Sequence, residues 1–351
     1  PALDEEIQAD IVIVGGGFSG LAAAYHLVKS NPNKKIVLLE ATCCGYGASG
    51  RSGGFADTGV RNLWEILERE GPEKAREVYD ITVEGQNLIR SFTEEHGIDF
   101  DFAPHGSIEL AADLSQWEDL LEEKRLHDQI GLDSRMIEKP ELWKMLRTER
   151  YIGALRYPYG ATLNPFKLTR GMKNIVEDEG VAIYERSPVL DVRCGNRPAA
   201  NTRMGKVTAD TLVLATDGYS PALGFFKRQV MPMCAYVIAT APLSPKQLES
   251  IGWLGREKIS DIKPVFDYFH LSGDNRIIFG GGGLRYLFGG RICMEAHRPT
   301  IASIKRRLFE TFPQLEGLEI THGWGGTLGM SFDFLPSVGT LGDNRNIFYS
   351  V

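Results

Sequence analysis

Apolar positions change period several times along the chain. Asp10-Ile11-Val12-Ile13-Val14 is a short β-branched run without polar alternation, the pattern of a strand buried on both faces of a parallel sheet. Residues 21–28 are good helix formers, broken at Asn31-Pro32-Asn33. Residues 36–39 form a second apolar run. The order predicts a βαβ unit within about thirty residues, as in a doubly wound sheet.

From 63 to 96 the spacing turns helical, with Leu63, Ile66, Leu67, Val78, Ile81, Leu88 and Ile89 as the apolar positions. Residues 117–126 predict another amphipathic helix. Pro140 starts one more, with Leu142, Met145 and Leu146 on its apolar side. Residues 164–176 predict a helix capped by Asn164, with Pro165 at its first position. Strands are expected at 181–184, 188–192 and 207–216, the last closing on the turn Asp217-Gly218. After Arg228, residues 235–240, 265–270 and 276–280 alternate like strands of an antiparallel meander. A helix at 301–312 ends at Pro313, and 346–351 predict a last strand. The expected class is a mixed α/β (α+β) fold. A Rossmann-type nucleotide-binding domain takes 1–62, 155–228 and 325–351. A discontinuous antiparallel-sheet domain takes 63–154 and 229–324.

Length supports two domains, since 351 residues exceed what one core usually holds. A net charge of −7 gives no basic stripe for nucleic acid. No apolar run approaches the roughly 20 residues of a membrane span. The acidic start, Pro1 to Glu6, lacks a cationic leader, so a cytoplasmic location is expected. The five cysteines are scattered with no C-x-x-C pair, so no metal site is indicated. Adjacent Cys43 and Cys44 read as two small residues in a tight loop.

Candidate chemistry begins after the first strand. Gly15-Gly16-Gly17-Phe18-Ser19-Gly20 fits G-x-G-x-x-G, follows a strand, opens a helix, and has Glu40 at the end of the second strand. Gly15 permits the tight turn, Gly17 lets a pyrophosphate approach, and Gly20 allows close helix–strand contact. The helix N-terminus offers N–H groups to the phosphates. Glu40 suits ribose hydroxyls and repels a 2′-phosphate. A second glycine-rich stretch, 45–55, is too long for a simple turn and suits backbone that follows a ligand along its length.

Gly-Ala-Ser-Gly-Arg-Ser-Gly-Gly at 47–54, following that G-x-G-x-x-G…Glu unit, resembles the D-amino acid oxidase superfamily. The likeness is nearest its glycine/sarcosine oxidase branch and the gamma-glutamylputrescine oxidoreductases. Residues 212–220 resemble the family's second flavin-contacting strand and turn. Trp324-Gly325-Gly326-Thr327, with Asp333, Pro336 and Gly339, resembles the segment leading to the flavin ring. The resemblance implies FAD. Gly15, Gly17, Phe18, Ser19, Gly20 and Glu40 would hold its AMP and pyrophosphate half. Ala48, Ser49, Gly50, Arg51, Ser52, Gly53 and Gly54 would run toward the flavin. Val189, Thr216 and Gly218 would lie near the adenine side. The glycine-rich loop has no histidine, and the last cysteine, Cys293, precedes Trp324, so non-covalent FAD is expected. Relatives continue past the last strand into a helix whose N-terminus faces the flavin; this chain stops at Val351, so weak FAD retention is expected.

The implied reaction is oxidation of a carbon–nitrogen bond of an amine or amino acid, with O2 or another acceptor closing the cycle. Catalytic candidates are Tyr268 and Tyr236 on the antiparallel segment, Arg285 as a carboxylate fork, and Trp324 beside the flavin. Phe266, Tyr268 and His270 are expected to share a strand face. Each tyrosine also reads as an ordinary sheet aromatic, and Arg285 as a loop-end arginine. His322 and His26 read as structural. A vestigial flavoprotein and a flavin dehydrogenase of hydroxy acids or glycerol phosphate are the alternatives. The second needs an Arg/Lys cluster, for which the antiparallel segment offers Arg285 and Lys263.

Overall fold

The computed structural model describes residues 1–253, 255–263, 265–287, 291–293, 295–342 and 344–351. Two large sheets organise it. The first contains β1 (Glu6–Val14), β2 (Ile36–Leu39), β8 (Ala182–Tyr184), β9 (Asp191–Arg193), β10 (Ala199–Asn201), β11 (Lys206–Leu214), β18 (Val338–Leu341) and β19 (Ile347–Ser350). Its order is β18-β19-β11-β1-β2-β8, with β10 attached to β11 and β9 to β10. β19, β11, β1, β2 and β8 run parallel. β3 (Phe55–Ala56) and β7 (Ala161–Thr162) pair separately.

The unalternating run in β1 has a direct cause. Val12 and Val14 pack into one core with Leu212, Leu214 and Val192. Ile11 and Ile13 pack into another, with Leu21, Ala24 and Val28 of α1 (Phe18–Ser30) and Val176. Both faces are covered, so neither carries polar positions.

The second sheet holds β4 (Ser107–Ala111), β5 (Arg135–Glu138), β6 (Gly153–Tyr157), β12 (Val230–Thr240), β13 (Lys258–Asp261), β14 (Tyr268–Leu271), β15 (Ile277–Gly280), β16 (Arg285–Tyr286) and β17 (Ile320–Ser331). The remaining helices are α2 (Ala48–Arg51), α3 (Leu63–Glu70), α4 (Pro72–Glu95), α5 (Leu114–Gln129), α6 (Lys139–Met145), α7 (Pro165–Asp178), α8 (Pro245–Ile251) and α9 (Arg298–Thr311). Asn164 caps α7 as expected, its side chain accepting the Lys167 N–H.

This sheet departs from a simple antiparallel meander. β12 skips its successors to pair with β15, β16 and β17, and β13 runs parallel to β4. The expected domain boundaries at 155 and 325 fall inside β6 and β17, both strands of this sheet. The expected strand at 265–270 begins only at Tyr268, because the Asp267 N–H turns back to Asp261 Oδ1 at 2.9 Å.

One face of the second sheet packs against α6, α8 and α9 around Trp253, Phe269, Phe279 and Phe312. The Phe269 and Phe279 rings stack at 5.1 Å between centroids. The other face meets the glycine-rich loop that follows β2. No helix of the described residues is long and apolar enough to cross a membrane.

Candidate active site

The turn after β1 is built from absent side chains. Gly15 has φ +111°, and a Cβ there would stand 2.3 Å from the Ala215 carbonyl oxygen. A Cβ on Gly20 would stand 1.9 Å from the Gly15 carbonyl oxygen, so α1 enters directly against the turn. No side chain of Gly17 caps α1. Instead Ser49 reaches over from α2, and its Oγ accepts the Phe18 N–H at 3.0 Å. The same hydroxyl occupies the space a Gly17 Cβ would need, 2.7 Å away. The two glycine-rich segments are thereby joined at the helix N-terminus, where an anion is favoured.

Glu40 faces this turn. Its Oε2 accepts the Gly16 N–H at 2.8 Å and its Oε1 the Thr42 N–H at 3.0 Å. Burial raises its carboxyl above the ordinary range, against the pull of these donors. Each oxygen keeps lone-pair capacity for a hydroxyl. Cys44 packs beneath Gly16, and burial pushes its thiol up to about 12. Cys44 belongs to the buried core around α1.

A cavity of about 560 Å³ runs from this turn past Tyr46 to Ser49 and on to Val189, Thr216 and Leu223. Gly15, Gly17, Phe18, Ser19, Glu40, Ala48, Ser49, Val189 and Thr216 all line it. Gly218 does not. It is a packing glycine, since a Cβ there would stand 2.8 Å from the Gly329 nitrogen of β17. Tyr219 lines the cavity instead, one residue further into the 3-10 turn Asp217–Leu223. The turn signal at Asp217-Gly218 located the neighbourhood but not the aromatic wall.

Beyond Ser49 the loop passes a second, smaller cavity of about 150 Å³, lined by Gly50, Ser52, Gly53, His270 and Trp324 among others. Arg51 lines neither. Its guanidinium is bound to the Tyr46 carbonyl at 2.6 Å and the Gly325 carbonyl at 3.0 Å, beneath the Tyr46 ring. Trp324 ties the sheet to the loop by donating its indole N–H to the Arg51 carbonyl at 2.9 Å. Tyr268 lies across Gly53 and Gly280, whose missing side chains make room for its ring. Burial pushes its phenol up to about 12, so it stays a proton donor.

The register separates the four catalytic candidates. Val237, Gly280 and Tyr268 are cross-strand partners on one face, and Trp324 pairs with Val237. Tyr236 is the next residue along β12 and therefore points the other way. Its hydroxyl meets Cys293 Sγ at 3.3 Å within the core covered by α9. Arg285 pairs with Cys234 on that same face and interacts with Tyr236. Of the four candidates, Tyr268 and Trp324 therefore share one face of the sheet, and Tyr236 and Arg285 the other. His26 and His322 are exposed.

His270 is the residue underrated from sequence. It is 4% exposed and packs edge-on against Phe55. Burial lowers its imidazole to about 4. Above its ordinary value of 6.5 the folded and unfolded states are both neutral. As the pH falls from 6.5 to 4 only the unfolded chain gains the proton, so stability is lost across that window. His270→Gln is expected to reduce the loss of stability between pH 7 and pH 4 by about 3 kcal/mol. Urea midpoints at the two pH values check this; equal losses in both proteins would refute it.

The nucleotide half of the site thus has a glycine-started helix end whose first N–H meets the Ser49 hydroxyl, a side-chain-free turn and a carboxylate with spare acceptors, which fits a dinucleotide. Comparison with known proteins agrees. The chain is 30% identical over 350 residues to a probable oxidoreductase OrdL of Haemophilus influenzae, covering 97% of this chain and 78% of that one. It is 29% identical to gamma-glutamylputrescine oxidoreductase of Escherichia coli, covering 99% and 79%. The fold superposes on glycine oxidase from Geobacillus kaustophilus with a TM-score of 0.81 at 21% identity, over 98% of this chain and 88% of that one. The model of the DAO family matches residues 10–351, and the chain accordingly belongs to this family of FAD-dependent oxidoreductases.

Proposed function

We propose that the protein oxidises the carbon–nitrogen bond of an amine, with FAD held non-covalently. The observation that carries this is the meeting of Tyr268, Trp324 and His270 over the loop at Gly53, at the far end of a nucleotide cradle. The similarity to gamma-glutamylputrescine oxidoreductase supports an amine.

Bound FAD supplies the hydride acceptor, its N5 atom. The protein's part is to bind, orient and exclude water. The α1 N-terminus and Ser49 receive the pyrophosphate, and Glu40 accepts from the ribose hydroxyls. Gly53 and Gly54, lacking side chains, let Tyr268, Leu163 and His270 close directly against the loop. Tyr268 keeps its proton and offers a hydrogen bond at an apolar surface. The neutral amine gives up hydride from its α-carbon with the bonding pair and releases an N–H proton to solvent. The resulting imine adds water and parts into a carbonyl compound and the free amine or ammonia. No dedicated base is required, because the amine need only be neutral before hydride leaves.

The test is anaerobic. Amines added to the holoenzyme are expected to bleach the flavin absorbance, and acid precipitation is expected to leave a yellow supernatant and a colourless pellet. Bleaching by hydroxy acids or glycerol phosphate, with none by amines, would reject the proposal. Oxygen uptake in the same assay assigns the acceptor.

A further inference from the structure

The glycine-rich loop and the segment that leaves it are fastened to the second sheet at successive points. Trp324 donates to the Arg51 carbonyl, and Tyr268 lies across Gly53. The Phe55 ring stands edge-on to both Tyr268 and His270, 5.5 Å between centroids in each case. Asp57 follows, and its Oδ1 meets Lys258 Nζ of β13 at 2.5 Å. The same ammonium lies 5.7 Å from the centroid of the Phe55 ring. Ser260 pairs with Tyr268 across β13 and β14, and Lys258 is two residues before Ser260. Lys258 and Tyr268 therefore share a face of the sheet.

The two members of the ion pair differ in burial. Lys258 is 8% exposed, while the Asp57 side chain is 53% exposed. Glu109 of β4 is the second carboxylate near the lysine, and its Oε1 accepts the Tyr157 hydroxyl at 2.8 Å. Burial works against the Lys258 charge, but the Asp57 and Glu109 carboxylates outweigh it, so the ammonium keeps its proton. Burying a lysine beside a carboxylate is a weak source of stability, and the best-attested use of such a pair is to fix a register. The side-chain anchors of the segment around it reach α4 instead. Gln86 Nε2 donates to the Ala56 carbonyl at 3.0 Å, Thr58 Oγ1 meets the Tyr79 hydroxyl at 2.9 Å, and the Gly59 N–H donates to Thr82 Oγ1 at 2.7 Å. Beyond Phe55, the ion pair is the contact that draws this segment to the sheet rather than to the helix.

We propose that Asp57 and Lys258 are positioning residues for the oxidation, their ion pair latching the segment after the glycine-rich loop onto the sheet and so setting Phe55 against Tyr268 and His270. The proposal rests on the amine-oxidation reading and adds residues to it. Gly53 and Gly280 give the Tyr268 ring no side chain to lean on, so Phe55 and Phe266 are the rings that fix its tilt. A segment that drifts toward α4 takes Phe55 with it and leaves Tyr268 free to turn. Misplacing an orienting group by about 1 Å can slow a reaction about 100-fold, and a partial release costs less.

Asp57→Asn tests this without stranding a buried charge, because the side chain is half-exposed and Lys258 keeps Glu109. The rate constant for anaerobic flavin reduction by a bleaching amine is expected to fall about tenfold, while the dissociation constant of the amine changes less than about twofold. FAD content is expected to stay at the wild-type level, since none of residues 55–59 lines the nucleotide cavity. Asp57→Glu keeps the charge and is expected to restore most of the rate. Lys258→Met is expected to slow reduction as Asp57→Asn does, and the double variant no further. A wild-type rate in Asp57→Asn, equal slowing in Asp57→Glu, or additive losses in the double variant would each overturn the proposal. Hydrogen exchange of the amides of residues 55–59, measured without amine, gives a readout free of turnover. It is expected to quicken in Asp57→Asn and Lys258→Met and not in Asp57→Glu. Unchanged exchange with normal bleaching defeats the latch alone. If no amine bleaches the wild-type flavin, the amine-oxidation reading falls and the positioning role with it.

Discussion

Gly15→Ala is expected to strip the protein of FAD, lowering the flavin-to-protein ratio at least about tenfold, and to destabilise the fold by about 3 kcal/mol. Two separate penalties coincide at this position. The backbone has φ +111°, which an L side chain rarely adopts. The added Cβ would also stand 2.3 Å from a backbone oxygen of Ala215, which no rotamer change relieves. Either the end of β11 or the start of α1 has to move. Both line the nucleotide cavity, through Thr216 and through Phe18 and Ser19. Gly180→Ala separates the two penalties. Gly180 has φ +96° but nothing within 4 Å of its would-be Cβ. It is expected to cost about 1 kcal/mol in strain and to leave flavin content unchanged. Flavin absorbance per protein and urea midpoints of both variants decide the matter. A Gly15→Ala protein with a full complement of FAD would show that the turn does not hold the nucleotide.

The contrast between these two glycines reflects what was legible in the sequence. The unit from β1 to β2 was readable because its signals are local. Strands buried on both faces lose polar alternation, and the turn between them needs glycine at fixed offsets. The nucleotide cradle followed from the same short stretch, including Glu40. Asn164 was likewise readable as a cap because a cap lies next to the helix it serves.

The second sheet was harder for physical reasons. β4, β5 and β13 have only four or five residues each, too few for a period to emerge. β17 contains four glycines, which lower strand propensity. It forms because β12 offers it a partner along nearly its whole length. The faces of Tyr236 and Tyr268 depend on how β12 registers with β15, more than thirty residues away. A shift of one residue would exchange core and site for every side chain on the strand. Arg285 depends on the register of the two-residue strand β16. The structure sets Tyr268 and Trp324 beside the glycine-rich loop and turns Tyr236 and Arg285 to the opposite face, and the difference lies in that long-range pairing.

Asp267→Ala is expected to destabilise the protein by about 3–5 kcal/mol, although the ion-pair cluster it belongs to contributes little net stability. Asp267 is 2% exposed. Its carboxylate meets Arg307 Nε at 2.6 Å and Arg150 Nη2 at 3.0 Å. Burial outweighs both guanidinium groups and raises its carboxyl above the ordinary value. By linkage, a carboxyl raised on folding subtracts from stability above that value, so the intact cluster is no strong source of it. Removing the acid alone is another matter, because two largely buried guanidinium groups then lose their counter-charge. Arg307 Nη2 already lacks a partner. Replacing all three charges together, as Arg150→Met, Asp267→Leu and Arg307→Met, is therefore expected to cost less than the single substitution. Urea denaturation of the two variants tests the order. Asp267 also precedes Tyr268 directly, and its backbone bonds fix the start of β14 against β13. Anaerobic flavin reduction by amines is thus expected to slow in Asp267→Ala, and to recover in the triple variant as far as those backbone bonds re-form. A triple variant less stable than the single one would mean that the three charges stabilise the fold as a unit, and that burial is not the dominant cost at this site.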